Sequence, residues 1–191
     1  DTAFRVYGGT FTNYDPSNSE TENPTDNFCA DGHVSVQEGD DYVVMPIEEA
    51  AVAQVDGEYY LTLQDAIDAA GEVAQESEER VTITLLTSAT GDAVTFDRSG
   101  NYLLDLNNCT YTSTNAMDVF KVCAGDMDLT IQNGGLVGHG TYAYGIYVYA
   151  LDTNGDGAAD TPCDNVTVTL DHVDLDVTDQ GLGVQGINSS N

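Results

Sequence analysis

From Val81 onward the apolar residues arrive in short β-rich runs divided by turn residues: "VTITLL", "AVTF", "YLLDL", "DVFKV", "LTIQ", "YGIYVY", "VTVTL" and "VDLDV". Each run is too short for a stable helix and is rich in β-branched and aromatic residues, which is the signature of strands. The runs also recur in register. "LDLNNCTY" (104–111) superimposes on "LTIQNGGL" (129–136) with Leu106 on Ile131, Asn108 on Asn133 and Tyr111 on Leu136, an offset of 25 residues. "VTLDHVDL" (168–175) superimposes next, with Leu170 on Ile131, His172 on Asn133 and Leu175 on Leu136, an offset of 39. A second apolar run follows each copy: "VFKVC", "YGIYVY" and "LGVQGI". Such self-similarity is expected of solenoid coils, each of which buries its apolar side chains only against its neighbours. The second offset exceeds the first by 14 residues, the length of 151–164, so that stretch reads as an insertion at one corner of a 25-residue coil.

The chain before Val81 has a different character. "AFRVYGGTFT" (3–12) reads as a strand turning at Gly8-Gly9, and the polar residues 13–33 as a surface excursion. Gly39-Asp40 and Asp56-Gly57 each sit between apolar alternations and predict hairpins over 33–45 and 50–61. From Thr62 the period changes to that of a helix, with Leu63, Ala66, Ile67, Ala70, Val73 and Ala74 on one face. Thr62 followed by Asp65 resembles a capping box. "FRVYGGTF" (4–11) also aligns without gaps on "LTIQNGGL", with Phe4 on Leu129, Val6 on Ile131 and Phe11 on Leu136. Phe4, Val6 and Phe11 are therefore expected to form an assembly strand that covers the open end of a second copy, giving head-to-tail oligomers. The alternative is that the chain is a piece of a tandem array.

The stretches "DGEYYLTLQDAIDAA" (56–70), "VTITLLTSAT" (81–90) and "NYLLDLNNCTYT" (101–112) resemble the opening of right-handed parallel β-helix domains, of the pectate-lyase-like kind, in surface and adhesin-type proteins of bacteria and phages. "GGTFTNYDPSN" (8–18) and "NFCADGHVSVQEGDDYVVMP" (27–46) resemble the tail segment that closes such domains. The resemblance implies an all-β fold, a right-handed parallel β-helix (solenoid) with one N-terminal capping α-helix. Residues 1–48 would be a strand plus the tail-like closing segment of a neighbouring β-helix. Residues 49–191 would be the β-helix proper, with the cap helix at about 62–78 and the insertion at 151–164. These motifs are specific for architecture and say little about activity.

Charge narrows the function. Against 33 acidic residues stand 4 basic ones, a net charge of -29. Nucleic acid is excluded as a partner, because neutralising phosphates needs Lys and Arg, and an anionic membrane surface is disfavoured for the same reason. Divalent cations and an extracellular setting suit this charge. No run of apolar residues is long enough for membrane insertion as a helix. No signal peptide is visible at Asp1, as expected of a mature secreted product or an excised piece. Cys29, Cys109, Cys123 and Cys163 form no CxxC. Two disulfides are the preferred reading, with Cys109–Cys123 the favoured local pair of the three possible connectivities; the alternative is four buried thiols.

The insertion carries the one metal-type motif. Asp152, Asn154, Asp156, Gly157 and Asp160 spell D-x-N-x-D-G-x-x-D, and the Ala158 carbonyl stands at the seventh position. Alternating oxygen ligands around a Gly turn suit calcium. The loop resembles an EF-hand over nine positions and departs at the twelfth, where Cys163 replaces the bidentate Glu. It is closer to a thrombospondin type-3 repeat, which continues to an Asp-Asn pair such as Asp164-Asn165. Calcium is the expected cofactor, bound with a Kd of roughly 10⁻⁴–10⁻³ M.

No catalytic residue is assigned. Gly138-His139-Gly140 matches a polygalacturonase tripeptide, but Asp126 and Asp128 are not the adjacent pair of that family and no basic residue follows Lys121. His172 reads as a corner residue. Tyr147 and Tyr149 share a strand face that suits stacking on sugars. The expectation is a non-enzymatic extracellular structural protein, a surface-layer, filament or virion component whose partner is itself. The alternative is an adhesin or carbohydrate-binding module that recognises glycans.

Overall fold

The computed structural model describes residues 4–18, 26–115, 117–141, 143–150 and 163–185. The chain divides into two compact units, Asp1–Ala51 and Val52–Asn191.

The first unit is antiparallel. β1 (Gly9–Thr12), β2 (His33–Glu38) and β3 (Asp41–Pro46) form a sheet in the order β1-β3-β2. Gly39, with φ of 66°, and Asp40 close the β2–β3 hairpin, placing Glu38 opposite Asp41. A four-residue helix, α1 (Ile47–Ala50), follows. Val6, Cys29 and Val44 form a small core, with Phe11 and Phe28 against it.

The second unit begins with β4 (Ala53–Val55) and β5 (Glu58–Tyr60), a hairpin across Asp56-Gly57 in which both turn residues have positive φ. α2 (Leu63–Glu76) follows. The Thr62 hydroxyl accepts the Asp65 backbone N–H at 3.1 Å and donates to the Asp65 carboxylate at 2.6 Å, which caps the helix. The remaining strands are β6 (Val81–Leu85), β7 (Ala89–Gly91), β8 (Val94–Phe96), β9 (Gly100–Asp105) and β10 (Thr110–Ser113). They continue with β11 (Asp118–Val122), β12 (Met127–Gly138), β13 (Tyr144–Tyr149), β14 (Val166–Val177) and β15 (Leu182–Gln185). An eight-stranded sheet follows the path β5-β4-β6-β9-β12-β10-β7, with β14 paired to β12; a four-stranded parallel sheet runs β15-β13-β11-β8. The buried face of α2, including Leu63, Ala66, Ile67 and Ala70, packs on β4, β6, β8 and β9.

β12 organises the large sheet. On one side its first half pairs with β9, Ile131 opposite Leu104, and its second half with β10, Leu136 opposite Tyr111. Along the other side it pairs with β14, Ile131 opposite Leu170 and Leu136 opposite Leu175. The sequence offset of 25 thus holds for β10, whereas β9 is displaced by two residues, since Leu104 and not Leu106 faces Ile131. Asn107 and Asn108, with φ of 50° and 61°, absorb the displacement in the β9–β10 turn. A two-residue slip keeps every side chain on its original face, so the apolar row stays inward.

Phe96, Phe120, Tyr102 and Tyr111 fill the core of the second unit, with ring centroids 5.9–6.0 Å apart in successive pairs. The two phenols are satisfied by backbone carbonyls: Tyr102 donates to Arg98 at 2.9 Å and Tyr111 to Asp92 at 2.7 Å. Burial pushes the Tyr102 pKa up to about 12.

This architecture corrects the expected fold class. Among the described residues there are three separate sheets, mixed parallel and antiparallel, and two helices, an α/β-like mixed-sheet arrangement rather than an all-β right-handed parallel β-helix. The physical reason lies in the hairpins. Two-residue turns oblige their flanking strands to run antiparallel, and β4 carries that direction into the large sheet by lying antiparallel on β6, Val55 opposite Ile83. Phe4–Phe11 illustrates the same point. The alignment treated it as one more parallel copy, but β1 pairs antiparallel with β3, Phe11 opposite Tyr42. Apolar alternation has the same period of two in both kinds of ladder, so it carries no information on strand direction.

Ile131 is 0% exposed, while Leu170, its partner one strand further out, is 39% exposed. Ile131→Ala is therefore expected to cost about 2–5 kcal/mol in urea unfolding at micromolar protein, and Leu170→Ala much less. Equal losses would contradict this placement of the two side chains.

Candidate functional site

The outer rim of the second unit is formed by β14 and β15. β14 pairs only with β12, and β15 only with β13, among the described residues. The apolar row that is sealed one strand inward opens here. Met127, Leu129, Ile131 and Leu136 are at most 2% exposed, but their partners Val166, Val168, Leu170 and Leu175 are all partly exposed. In the other sheet Ile146 and Val148 face Leu182 and Val184, which are 51% and 73% exposed. Val148, Cys163, Val166, Val168, Leu182 and Val184 line a cleft of about 370 Å³ at this rim. Unpaired backbone groups beside an apolar cleft are a template for another strand. Asp171, Asp174 and Asp176 are exposed on β14 itself.

A polar turn cluster lies on the large sheet. Asn108, Asn133 and His172, which match in the sequence alignment, all take left-handed backbone angles, with φ of 61°, 58° and 54°. Asn tolerates that conformation best among non-Gly residues. The Asn108 N–H donates to the Asn133 carbonyl at 2.6 Å. Asp105 collects the side chains: its carboxylate accepts from Gln132 Nε2 at 2.8 Å, from the Asn107 N–H at 2.8 Å and from Asn133 Nδ2 at 3.3 Å. Desolvation alone would raise its pKa, but these three donors together outweigh it and hold the carboxyl below its usual range. His172, which lies within β14, contacts the Asp171 carboxylate and is largely exposed.

The tyrosine face is largely turned on itself. Tyr144, Tyr147 and Tyr149 form a column on β13 with centroids 5.1 Å apart and interplanar angles of 20° and 23°. A Cβ on Gly183 would meet Tyr147 Cδ2 at 2.8 Å and Tyr144 Cδ1 at 2.9 Å, so the rings lean over β15 where only glycine leaves room. On the neighbouring strand β11, opposite Tyr144 and Tyr147, is a pair that sequence reasoning missed. Asp118 is 4% exposed, its pKa raised by desolvation and partly lowered by Lys121, whose Nζ lies 3.9 Å away. Only the i, i+3 spacing hinted at it.

Other sequence-derived sites fare differently. Asp152, Asn154, Asp156, Ala158 and Asp160 lie outside the described residues. Asp164 is exposed, and its backbone carbonyl accepts the Asp126 N–H at 2.7 Å. Among the described residues no group of three His, Cys, Asp or Glu is gathered for a metal ion. His139 Nε2 lies 3.5 Å from an Asp176 oxygen at the surface. Of the expected assembly strand only Phe4 protrudes, 67% exposed. Val6 is buried and bridged to Cys29, and Phe11 packs on the first unit's core, so both are committed at home.

The cysteines are free thiols. Cys109 and Cys123, the expected local pair, meet different backbone partners. The Cys109 carbonyl accepts the Gly135 N–H of the eight-stranded sheet, whereas the Cys123 N–H donates to Phe96 of the four-stranded sheet. Burial pushes the Cys123 thiol up to about 11.

No helix among the described residues is long and apolar enough to cross a membrane. Comparison with protein-family models, curated proteins and solved structures finds no match. The likeness to bacterial and phage surface proteins therefore rests on the quoted sequence stretches alone.

The depressed Asp105 pKa makes a signed prediction. A carboxyl whose pKa is lower folded than unfolded stabilises the protein above its unfolded value, about 4, and loses that contribution as pH falls through the folded value. Asp105→Asn is expected to be less stable than wild type at pH 7, with the gap narrowing as pH drops below about 4. A gap in chemical denaturation that does not change with pH would contradict the assignment.

Proposed function

We propose that the protein is a non-enzymatic structural component outside the cell, a surface-layer, filament or virion part, whose copies associate through the β14–β15 rim. The observation that carries this reading is the abrupt opening of a sealed apolar row at Leu170, Leu182 and Val184. A second copy is the occupant that fits best. It brings the same unpaired edge and the same apolar row, and two such rims related by a two-fold axis can cover one another, giving a closed dimer as the building block of the larger structure. This replaces the head-to-tail contact through Phe4–Phe11 expected from the sequence.

Charge sets the conditions. Both rims carry Asp171, Asp174 and Asp176 on a chain of net charge -29, so apposed copies repel. Salt shortens the range of that repulsion to about 8 Å at physiological ionic strength, and bound calcium would lower the net negative charge further. Association should therefore strengthen with salt, the opposite of binding to a basic partner. The glycan reading has less support, because the tyrosine ring faces are spent on each other and on Gly183.

Sedimentation velocity at about 100 µM is expected to show a monomer at low ionic strength and larger species with 0.5 M salt or millimolar calcium. The double variant Leu182→Glu, Val184→Glu should stay monomeric with an unchanged Tm, since both side chains are exposed within one copy. A wild type that remains monomeric under every condition would sink the proposal. Separately, isothermal titration with millimolar calcium should give heat that is lost in Asp152→Ala, Asp156→Ala; no heat from the wild type would remove calcium from the account.

A further inference from the structure

We infer that Cys123 and Cys163 form a disulfide when the protein meets a low-molecular-weight disulfide such as oxidised glutathione. The segment Cys163–Asn165 is held beside residues 122–127 by three hydrogen bonds. The Asp126 N–H donates to the Asp164 carbonyl at 2.7 Å, the Met127 N–H to the Asn165 carbonyl at 3.3 Å, and Asn165 Nδ2 to an Asp126 carboxylate oxygen at 2.9 Å. The Cys163 thiol then lies 3.4 Å from the Ala124 carbonyl and 3.7 Å from the Val122 carbonyl, the two that flank Cys123 in the chain. Its sulfur thus lies between the two carbonyls that flank Cys123, and the Cys123 thiol, now 3.7 Å from the Phe96 carbonyl, turns from that contact toward Cys163 as the bond closes. Cys109 does not compete, since its backbone is tied to the turn at Gly135.

The accessibilities order the chemistry. Cys163 is half-buried and opens on the rim cleft, whereas Cys123 is 1% exposed. Cys163 gives up its proton and attacks one sulfur of glutathione disulfide, releasing one glutathione thiolate and leaving a mixed disulfide. Cys123, deprotonated in turn, attacks the Cys163 sulfur, forming the S–S bond and releasing the second glutathione thiolate. Two protein thiols are oxidised and one glutathione disulfide is reduced, the two protons passing to the glutathione thiolates. The bond closes a loop of 40 residues and anchors the segment that leads into β14.

The test oxidises the full chain with glutathione disulfide and maps unreduced peptides by mass spectrometry. The expected result is a Cys123–Cys163 linked peptide, a fall from four titratable thiols to two, and a Tm raised by about 10 °C. Cys163→Ser should abolish both the link and the Tm rise while keeping the Tm of the reduced wild type. A link through Cys109 or Cys29, a mixed disulfide at Cys163 that never resolves, or four unreacted thiols in the folded protein would each overturn the assignment. The oxidation is run at low ionic strength and low micromolar protein, where copies stay apart and the rim cleft beside Cys163 is open, so its outcome is read separately from association.

Discussion

The two-sided pairing of β12 is the constraint on which the second unit depends. A twelve-residue strand flanked by β9 and β10 on one side and β14 on the other must satisfy backbone groups along both edges. It must also keep Leu129, Ile131 and Leu136 inward at once. Every neighbouring strand inherits its register from this requirement. The β9–β10 turn shows how strictly it is met. The strands enter it at one offset and leave at another, yet the difference is two residues, the smallest shift that keeps side chains on the same face.

The turns make that register possible and carry their own cost. Asn108, Asn133 and His172 adopt angles that an L-residue enters at about 1–2 kcal/mol. At Asn133 the Asp105 carboxylate offsets part of this by taking the side-chain amide. His172 has no such neighbour on a further strand, because β14 ends the described ladder. Polar order and apolar burial thus decline at the same place. Both depend on a next strand, and at the rim neither has one within the described residues.

Much of the local structure was legible in the sequence. Thr62 and the apolar period placed α2, and Gly39-Asp40 and Asp56-Gly57 placed the hairpins, because capping and two-residue turns are decided by adjacent residues. The internal similarity found the true partners Tyr111–Leu136 and Leu170–Ile131. Strand direction was not legible. Phe4–Phe11 looks like Leu129–Leu136 to any pattern of alternation, yet β1 is fixed antiparallel by β3, a contact between residues about thirty apart. Contacts of the cysteines were not legible for a related reason. Proximity in sequence favoured Cys109 with Cys123, whereas backbone bonds at Asp164 and Asn165 bring the Cys163 sulfur to the Val122 and Ala124 carbonyls, from a segment about forty residues away. The rim itself was invisible as a surface, since Leu170 and Ile131 are alike in pattern and differ only in whether another strand lies beyond them among the described residues.

The exposed row at the end of the two sheets is the feature from which the functional reading grows. Hydrogen exchange followed by mass spectrometry, on dilute and on concentrated protein in 0.5 M salt, tests it most directly. Concentration is expected to slow exchange of the β14 and β15 amides while leaving β6, β9 and α2 unchanged. Exchange at β14 and β15 that stays fast at every concentration, or protection that appears instead around Phe4–Phe11, would contradict the account.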